Sequence, residues 1–228
     1  LTTDSMQHQY GARTLGAQTA LVLADARVGQ IVDAVRRAGI LDTTTFVVVS
    51  DHGFKTFKHR IRANVILKAH GLGDRAWAVA EGGTANIYVT SGADKAKTIA
   101  EMKAAFTGVD GVSEVLTPAE FAQYGYPSPD VLPRMSEVVV AAKDGFAFDG
   151  ATSGEAVEDV AAGSTPGAHG YLNTDPDMRA IFIASGVGVK RGAALGVIRN
   201  LDVAPTIAAW LDITMPNIEG HALTAILP

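Results

Sequence analysis

Two segments of the chain contain residue types that commonly bind metal ions. Asp4 and His8 are four residues apart, so on a helix both side chains would lie on one face. A carboxylate and an imidazole are both good zinc ligands. His169 lies in a Gly-Ala-His-Gly sequence, where it cannot pack into a core from a regular helix or strand face. Each segment alone is equally typical of solvated loop residues.

A third segment follows an apolar, β-branched run. Residues 46–50 (Phe-Val-Val-Val-Ser) predict a strand buried on both faces of a mainly parallel sheet, and Asp51 and His52 come next. Ligands of open α/β sheets collect outside the carboxyl ends of the strands. One ion can reach both side chains only if the backbone turns, and Gly53 permits such a turn. The alternative is an aspartate that caps the next segment beside a surface histidine.

Together the three segments offer five nitrogen and oxygen ligands and no sulfur. This set suits zinc or another borderline divalent ion in an open hydrolytic site. The elements that would position the ligands alternate along the chain. Apolar spacing predicts a long helix at 15–38, a further buried strand at 180–185 and a helix at 202–211. Helices alternating with buried strands are typical of an α/β fold.

The middle of the chain has a different pattern. Short strands at 86–90 and 112–116 flank a helix at 94–106. We therefore predict a small α+β lobe at 82–142, inserted into a main α/β domain formed by 1–81 and 143–228. Residues 145–170 are rich in Gly, Ala and Ser and show no period, which predicts a functional or mobile loop.

Composition excludes several classes of function. The 228 residues contain no cysteine, which excludes disulfides, iron–sulfur clusters and thiol nucleophiles. The net charge of −5 argues against nucleic acid as a partner. No apolar run approaches the roughly 20 residues needed to span a bilayer. The chain begins with Leu1 rather than Met and shows no leader pattern, so we expect it to start inside a longer polypeptide.

The motifs, taken in order, resemble those of the type I phosphodiesterase/nucleotide pyrophosphatase family of the alkaline phosphatase superfamily. The segments that carry the resemblance are Asp-Ser-Met-Gln-His-Gln-Tyr-Gly at 4–11, Ser-Asp-His-Gly-Phe at 50–54, Gly-Ala-His-Gly-Tyr at 167–171 and Asn-Leu-Asp-Val-Ala-Pro-Thr at 200–206. Ala12 stands where the family has a proline. The resemblance spans nearly the whole chain and implies an alkaline-phosphatase-like α/β fold with a mainly parallel sheet flanked by helices.

The resemblance also implies a centre of two zinc ions in the complete enzyme. It assigns Asp4, His8 and His169 to one ion, and Asp51 and His52 to the other. The family's second ion also takes an aspartate and a Thr or Ser nucleophile from a segment that would precede position 1.

Hydroxyl groups near the first ligands do not match the family's nucleophile. Thr2, Thr3 and Ser5 lie beside Asp4, but nothing in the motif makes them substitutes. We therefore expect the 228 residues alone to be inactive as a hydrolase.

The function that the resemblance implies is hydrolysis of phosphodiester or pyrophosphate bonds through a phosphoryl–enzyme intermediate. The substrate would be a small phosphorylated molecule such as a nucleotide, and the protein would be periplasmic or secreted. Two alternatives stay open: a phosphonoacetate hydrolase or monoester phosphatase of the same superfamily, and a non-catalytic domain stabilised by metal. The oligomeric state is left open.

Basic residues follow the third ligand segment. They are Lys55, Lys58, Arg60 and Arg62. Such a group either attracts an anionic substrate or forms a solvated charged face.

Overall fold

The computed structural model describes residues 2–92 and 94–228. Its α-helices are α1 (Thr2–Tyr10), α2 (Leu15–Arg37), α3 (Ala63–Ala69), α4 (Lys95–Phe106) and α5 (Val203–Trp210). Its strands are β1 (Thr45–Val49), β2 (Lys55–Thr56), β3 (His59–Arg62), β4 (Ala76–Ala80), β5 (Thr84–Val89), β6 (Val112–Leu116), β7 (Val138–Ala142), β8 (Phe146–Asp149), β9 (Val157–Asp159), β10 (Gly167–Ala168) and β11 (Phe182–Gly186).

The chain divides into two compact units. The first consists of Leu1–Val22 and His52–Arg179, and the second of Leu23–Asp51 and Ala180–Pro228. The lobe predicted at 82–142 falls within the range of the first unit, and its boundaries remain a prediction.

The core of the first unit lies on a four-stranded antiparallel sheet in the order β4-β5-β7-β6. One of its two central strands, β7, has the sequence Val-Val-Val-Ala-Ala, and the first four residues of this strand are buried. Helices α3 and α4 pack on the sheet. Asp94 caps the start of helix α4, since its side chain accepts a hydrogen bond from the Lys97 amide at 2.9 Å. The helix places Met102 and Phe106 in the core. The strands and helix predicted in this region are confirmed.

The prediction of a long loop at 145–170 is wrong. The segment contains β8, β9 and β10. Strand β3 pairs in parallel with β8 and antiparallel with β9, while β10 pairs antiparallel with β2. These strands have four, three and two residues, which is too short for a period to appear in the sequence.

The second unit contains the two strands that the sequence predicts, β1 and β11, but they pair with each other in antiparallel orientation rather than in a parallel sheet. The burial expected on both faces of β1 is also wrong, since its residues are half-buried and Val49 is exposed. A parallel neighbour requires a crossover connection, and the strand that lies beside β1 in the described part of the chain runs in the opposite direction. The apolar sequence therefore predicted the strand but not its surroundings.

Helix α5 closes the second unit. It accommodates Pro205 in its first turn, where the missing amide hydrogen costs nothing. The carboxylate before it, on Asp202, accepts hydrogen bonds from the guanidinium of Arg199 at 2.8 Å and from the backbone amide of His221 at 2.9 Å. These bonds tie the chain after α5 back to the start of the helix.

Candidate metal centre

Helix α1 carries the first two predicted ligands on one face. The Nε2 atom of His8 lies 3.7 Å from Oδ1 of Asp4, one helical turn earlier. Both side chains are about 40% exposed, so the pair is open to an ion from solvent. The structure confirms that the four-residue spacing lies on a helix.

The third predicted ligand lies close to this pair, although it is far from it in sequence. His169 follows β10, and its Nε2 lies 4.0 Å from Oδ1 of Asp4. Ligand atoms of Asp4, His8 and His169 all lie within 4.8 Å of one another. Tetrahedral ligands at 2.0–2.2 Å from a zinc ion are about 3.3–3.6 Å apart, so small side-chain movements would complete a site.

A glycine allows helix α1 to approach β10. A Cβ atom on Gly167 would lie 2.3 Å from the carbonyl oxygen of Gln7, which is far inside normal contact. The absence of a side chain therefore lets the helix reach the strand, and this close approach brings His8 next to His169.

Backbone carbonyls select the ring nitrogens that face the site. Nδ1 of His8 lies 3.0 Å from the carbonyl oxygen of Gly167, and Nδ1 of His52 lies 3.0 Å from that of Gly53. A carbonyl oxygen can only accept, so Nδ1 donates in both rings, and Nε2 of each neutral imidazole keeps its lone pair. Metal-binding histidines are commonly oriented in this way.

The ring of His52 also joins this group. It stacks on the ring of His169, with centroids 3.9 Å apart and planes 19° apart. Asp51, its predicted co-ligand, belongs to the second unit, where its backbone carbonyl accepts a hydrogen bond from the Asn200 side chain at 3.1 Å. The set of Asp51 and His52 for a second ion therefore stays a prediction.

Gly53 is required for a different reason from the one expected. It does not have a positive φ. Instead, a Cβ atom at this position would lie 2.0 Å from the carbonyl oxygen of Asp177, and the Gly53 amide donates to the carbonyl of Met178 at 3.1 Å. The glycine allows close approach of two backbone segments.

Sequence reasoning missed one residue of this group, Phe54. Its ring lies within 5.5 Å, centroid to centroid, of the rings of His8, His52 and His169. The signal was only its place at the end of the Ser-Asp-His-Gly-Phe motif, because nothing local shows which rings it touches.

Carboxylates neutralise part of the basic group that follows the motif. Nζ of Lys55 lies 2.7 Å from Asp144 and 2.9 Å from Asp175. Burial lowers the pKa of the Lys55 ammonium group, but the hydrogen bonds to the two carboxylates outweigh it and hold the pKa above its ordinary value. Arg62 contacts Glu158. These two cations serve the fold, which weakens the case that the whole group attracts substrate.

Among the described residues, no helix combines the length and the apolar character that a transmembrane helix requires.

Comparison with known proteins agrees with the motifs. The family model of type I phosphodiesterase / nucleotide pyrophosphatase matches residues 2–172. Ectonucleotide pyrophosphatase/phosphodiesterase family member 7 of Rattus norvegicus is 21% identical over 223 residues, which cover 96% of this chain and 47% of the relative. The chain thus spans about half the length of the curated relatives it matches.

Solved structures show the same fold. Human ectonucleotide pyrophosphatase / phosphodiesterase 5 matches with a TM-score of 0.74 and 21% identity over 95% of this chain and 54% of its own. An inactive variant of the murine protein in complex with AMP matches with a TM-score of 0.74 and 19% identity, over 93% and 53% of the two chains. The predicted alkaline-phosphatase-like α/β fold is confirmed. Because the family model covers most of its length, the chain belongs to the type I phosphodiesterase / nucleotide pyrophosphatase family.

Proposed function

We propose that this chain forms the metal-binding part of a hydrolase that cleaves phosphodiester or pyrophosphate bonds in small phosphorylated molecules such as nucleotides. The observation that carries the proposal is the convergence of Asp4, His8 and His169 inside the region that the family model matches. The names of the similar proteins, and the AMP bound to one of them, support nucleotides as the substrate class.

The donor set fits a zinc ion. Two imidazole nitrogens and one carboxylate oxygen, with no sulfur, form the three-ligand arrangement of catalytic zinc sites, which leave a further position open. When bound, zinc would supply positive charge that stabilises the charge developing on a phosphoryl group.

The chain's own residues prepare this site in two ways. The carbonyl of Gly167 fixes the Nδ1–H tautomer of His8, which leaves Nε2 available, and helix α1 holds Asp4 one turn away. We further propose Asp51 and His52 as ligands of a second zinc ion, with the stacked rings of His52 and His169 in support.

The nucleophile is proposed to come from outside the 228 residues. Thr2, Thr3 and Ser5 are the hydroxyl groups closest in sequence to Asp4, and none lies in a segment that resembles the family's nucleophile motif. The metal-loaded chain alone should therefore not turn over a nitrophenyl phosphodiester. Sustained turnover that is lost in His169→Ala would contradict this part of the proposal.

Isothermal titration of the metal-free chain with zinc tests the metal site. We expect one tight ion and, because Asp51 and His52 supply only two ligands, a second that binds weakly. His169→Ala should abolish tight binding. The matched control is His70→Ala, which removes an exposed histidine and should leave binding unchanged. Equal binding by the two variants, or two equally tight sites in the unmodified chain, would show that the ligands are assigned wrongly.

We also propose, from the family resemblance, that the protein acts in the periplasm or outside the cell. Fractionation of the source cells, with antibody against this chain, tests the location. Recovery in the cytosolic fraction would contradict it.

A further inference from the structure

We propose that Phe54 is a positioning residue that holds the imidazole rings of His8, His52 and His169 in the orientation needed to bind metal. The inference rests on the proposed metal site and deepens it. Phe54 does not bind the ion and is not a catalytic residue.

The contacts of Phe54 reach all three rings at once. Its ring centroid lies 4.9 Å from that of His8, 5.2 Å from that of His169 and 5.5 Å from that of His52. The planes of Phe54 and the first two rings are nearly perpendicular, at 81° and 77°. Such edge-to-face arrangements are favourable and directional for aromatic rings.

Histidine rings need such a contact because the torsion that turns them is soft. The χ2 angle of histidine has broad, roughly two-fold preferences, so the side chain alone does not aim Nε2. The hydrogen bond from Nδ1 of His8 to the Gly167 carbonyl restricts χ2 at one atom of that ring, and the contact with Phe54 restricts it at a second place. A flat neighbour against the ring restricts this rotation.

Phe54 also shields one side of the three histidine rings from solvent. Its side chain is only 9% exposed, whereas His8 is exposed on the surface of α1. The rings thus meet solvent on one side and a buried aromatic ring on the other. Hydrogen-bonding groups that orient metal ligands typically change metal affinity by about 10- to 100-fold when removed, and we expect the packing contact of Phe54 to act at the lower end of that range.

Phe57 offers a matched control. It is 8% exposed and packs with Ala168 and Tyr171, on either side of His169. Phe57→Leu therefore weakens core packing next to the same loop. Within the described part of the chain, however, Phe57 makes no aromatic contact with a histidine ring.

The first experiment measures zinc affinity of the metal-free 228-residue chain by isothermal titration. Phe54→Leu should bind zinc about tenfold more weakly than the unmodified chain, and Phe57→Leu should stay within about twofold. Phe54→Met replaces the flat ring with a flexible, unbranched apolar side chain that can adapt to the space and should also weaken binding, so it serves if Phe54→Leu does not fold. Affinity losses no larger for the Phe54 variants than for Phe57→Leu would overturn the inference.

The second experiment needs no metal and separates this inference from the proposed function. Long-range proton–nitrogen NMR spectra distinguish the Nδ1–H and Nε2–H tautomers of neutral imidazoles. In the metal-free chain, His8 and His52 should be Nδ1–H tautomers, and the Phe54 variants should show averaged nitrogen shifts that Phe57→Leu does not. If the unmodified chain binds no zinc, the proposed site fails while these spectra still test Phe54. Unchanged spectra in the Phe54 variants would overturn its positioning role.

Discussion

A backbone carbonyl decides which nitrogen of His8 can act as a ligand. Because Nδ1 donates to the Gly167 carbonyl at 3.0 Å, the lone pair lies on Nε2, the atom nearest Asp4. That lone pair exists only while the ring is neutral. Protons and zinc therefore compete for the same atom.

This competition predicts a pH-dependent affinity. Zinc binding should weaken as the pH falls, because protonated imidazoles cannot bind a metal ion. Isothermal titration at pH 7.5 and pH 5.5 measures the effect. His8→Ala should weaken binding at both values, whereas His221→Ala, which removes an exposed histidine, should reproduce the unmodified chain. An affinity that does not change with pH would exclude histidine ligands.

Asp202 predicts a second pH dependence, this time of stability. The hydrogen bonds from the Arg199 side chain and the His221 amide lower the pKa of Asp202 to about 2. A lowered folded-state pKa contributes stability that is present above the ordinary value of 3.8 and is lost as the pH falls towards 2. Asp202→Asn should therefore melt at a lower temperature at pH 7, and the difference should shrink between pH 4 and pH 2.

Asp212→Asn is the control for this measurement. Asp212 is exposed, and its positive φ of 53° is a conformation that asparagine adopts readily. Thermal melts should show little difference from the unmodified chain at any pH. If the melting temperatures of Asp202→Asn and the unmodified chain differed by the same amount down to pH 2, the carboxylate charge would not be the cause of the lost stability.

At the scale of elements, the site depends on the contact between α1 and β10. Helix α1 has no buried residue, so its own apolar face contributes little to holding it in place. The hydrogen bonds from His8 to the Gly167 carbonyl and from Thr165 to the Tyr10 carbonyl attach it to the segment around β10. The position of two predicted ligands therefore depends on a few polar contacts and on close approach at Gly167.

Gly167→Ala should separate these two elements. The added methyl group would meet the Gln7 carbonyl at 2.3 Å, so α1 must move away and carry Asp4 and His8 from His169. We expect at least a tenfold loss of zinc affinity, on the scale seen when groups that orient ligands are removed, and a lower melting temperature. Titration and thermal melts on the same sample measure both effects.

Gly150→Ala is the matched control for this change. No described residue has an atom within 4 Å of a Cβ atom built at Gly150, and the φ of Gly150 is not positive. The substitution should keep zinc affinity and can raise stability by about 0.4–1 kcal/mol through the unfolded chain. If Gly167→Ala bound zinc as well as Gly150→Ala does, the helix–strand contact would not define the site.

At the scale of the whole molecule, the two units differ in how they bury apolar residues. In the described part of the second unit, the buried apolar residues are Pro205, Ala208 and Ile226. Its exposed apolar residues include Val49, Ile181, Ile183, Leu211 and Ile213. Large exposed apolar surfaces usually mark interaction sites or a tendency to aggregate.

This distribution predicts the behaviour of the chain in solution. The 228 residues should bind a hydrophobic dye and self-associate as concentration rises, and Ile183→Lys, at a side chain 57% exposed on β11, should reduce both. Val131→Lys changes a residue that is 80% exposed in the first unit and should have a smaller effect. Dye fluorescence and sedimentation measure the outcome, and equal effects of the two variants would contradict the assignment to the second unit.

The sequence by itself determined the family, the α/β class and the residues that can do chemistry. These conclusions depend on short contiguous signals: Asp4 and His8 one helical turn apart, the Ser-Asp-His-Gly-Phe motif, and the apolar run that forms β1. Residue type and local spacing are enough to define such signals, because backbone periodicity is a property of neighbours in sequence. These signals predicted which side chains can bind a metal ion and in what order these residues occur along the chain.

Only the tertiary structure decided which of these atoms meet and what surrounds them. The approach of His169 to Asp4, the three ring contacts of Phe54 and the neutralisation of Lys55 by Asp175, 120 residues later, join segments far apart in the chain. The tertiary structure also decided that β1, whose sequence predicted burial on both faces, is half-buried with Val49 exposed. Distances between remote segments and the cover over a strand depend on the packing of the whole chain, and no local pattern records them.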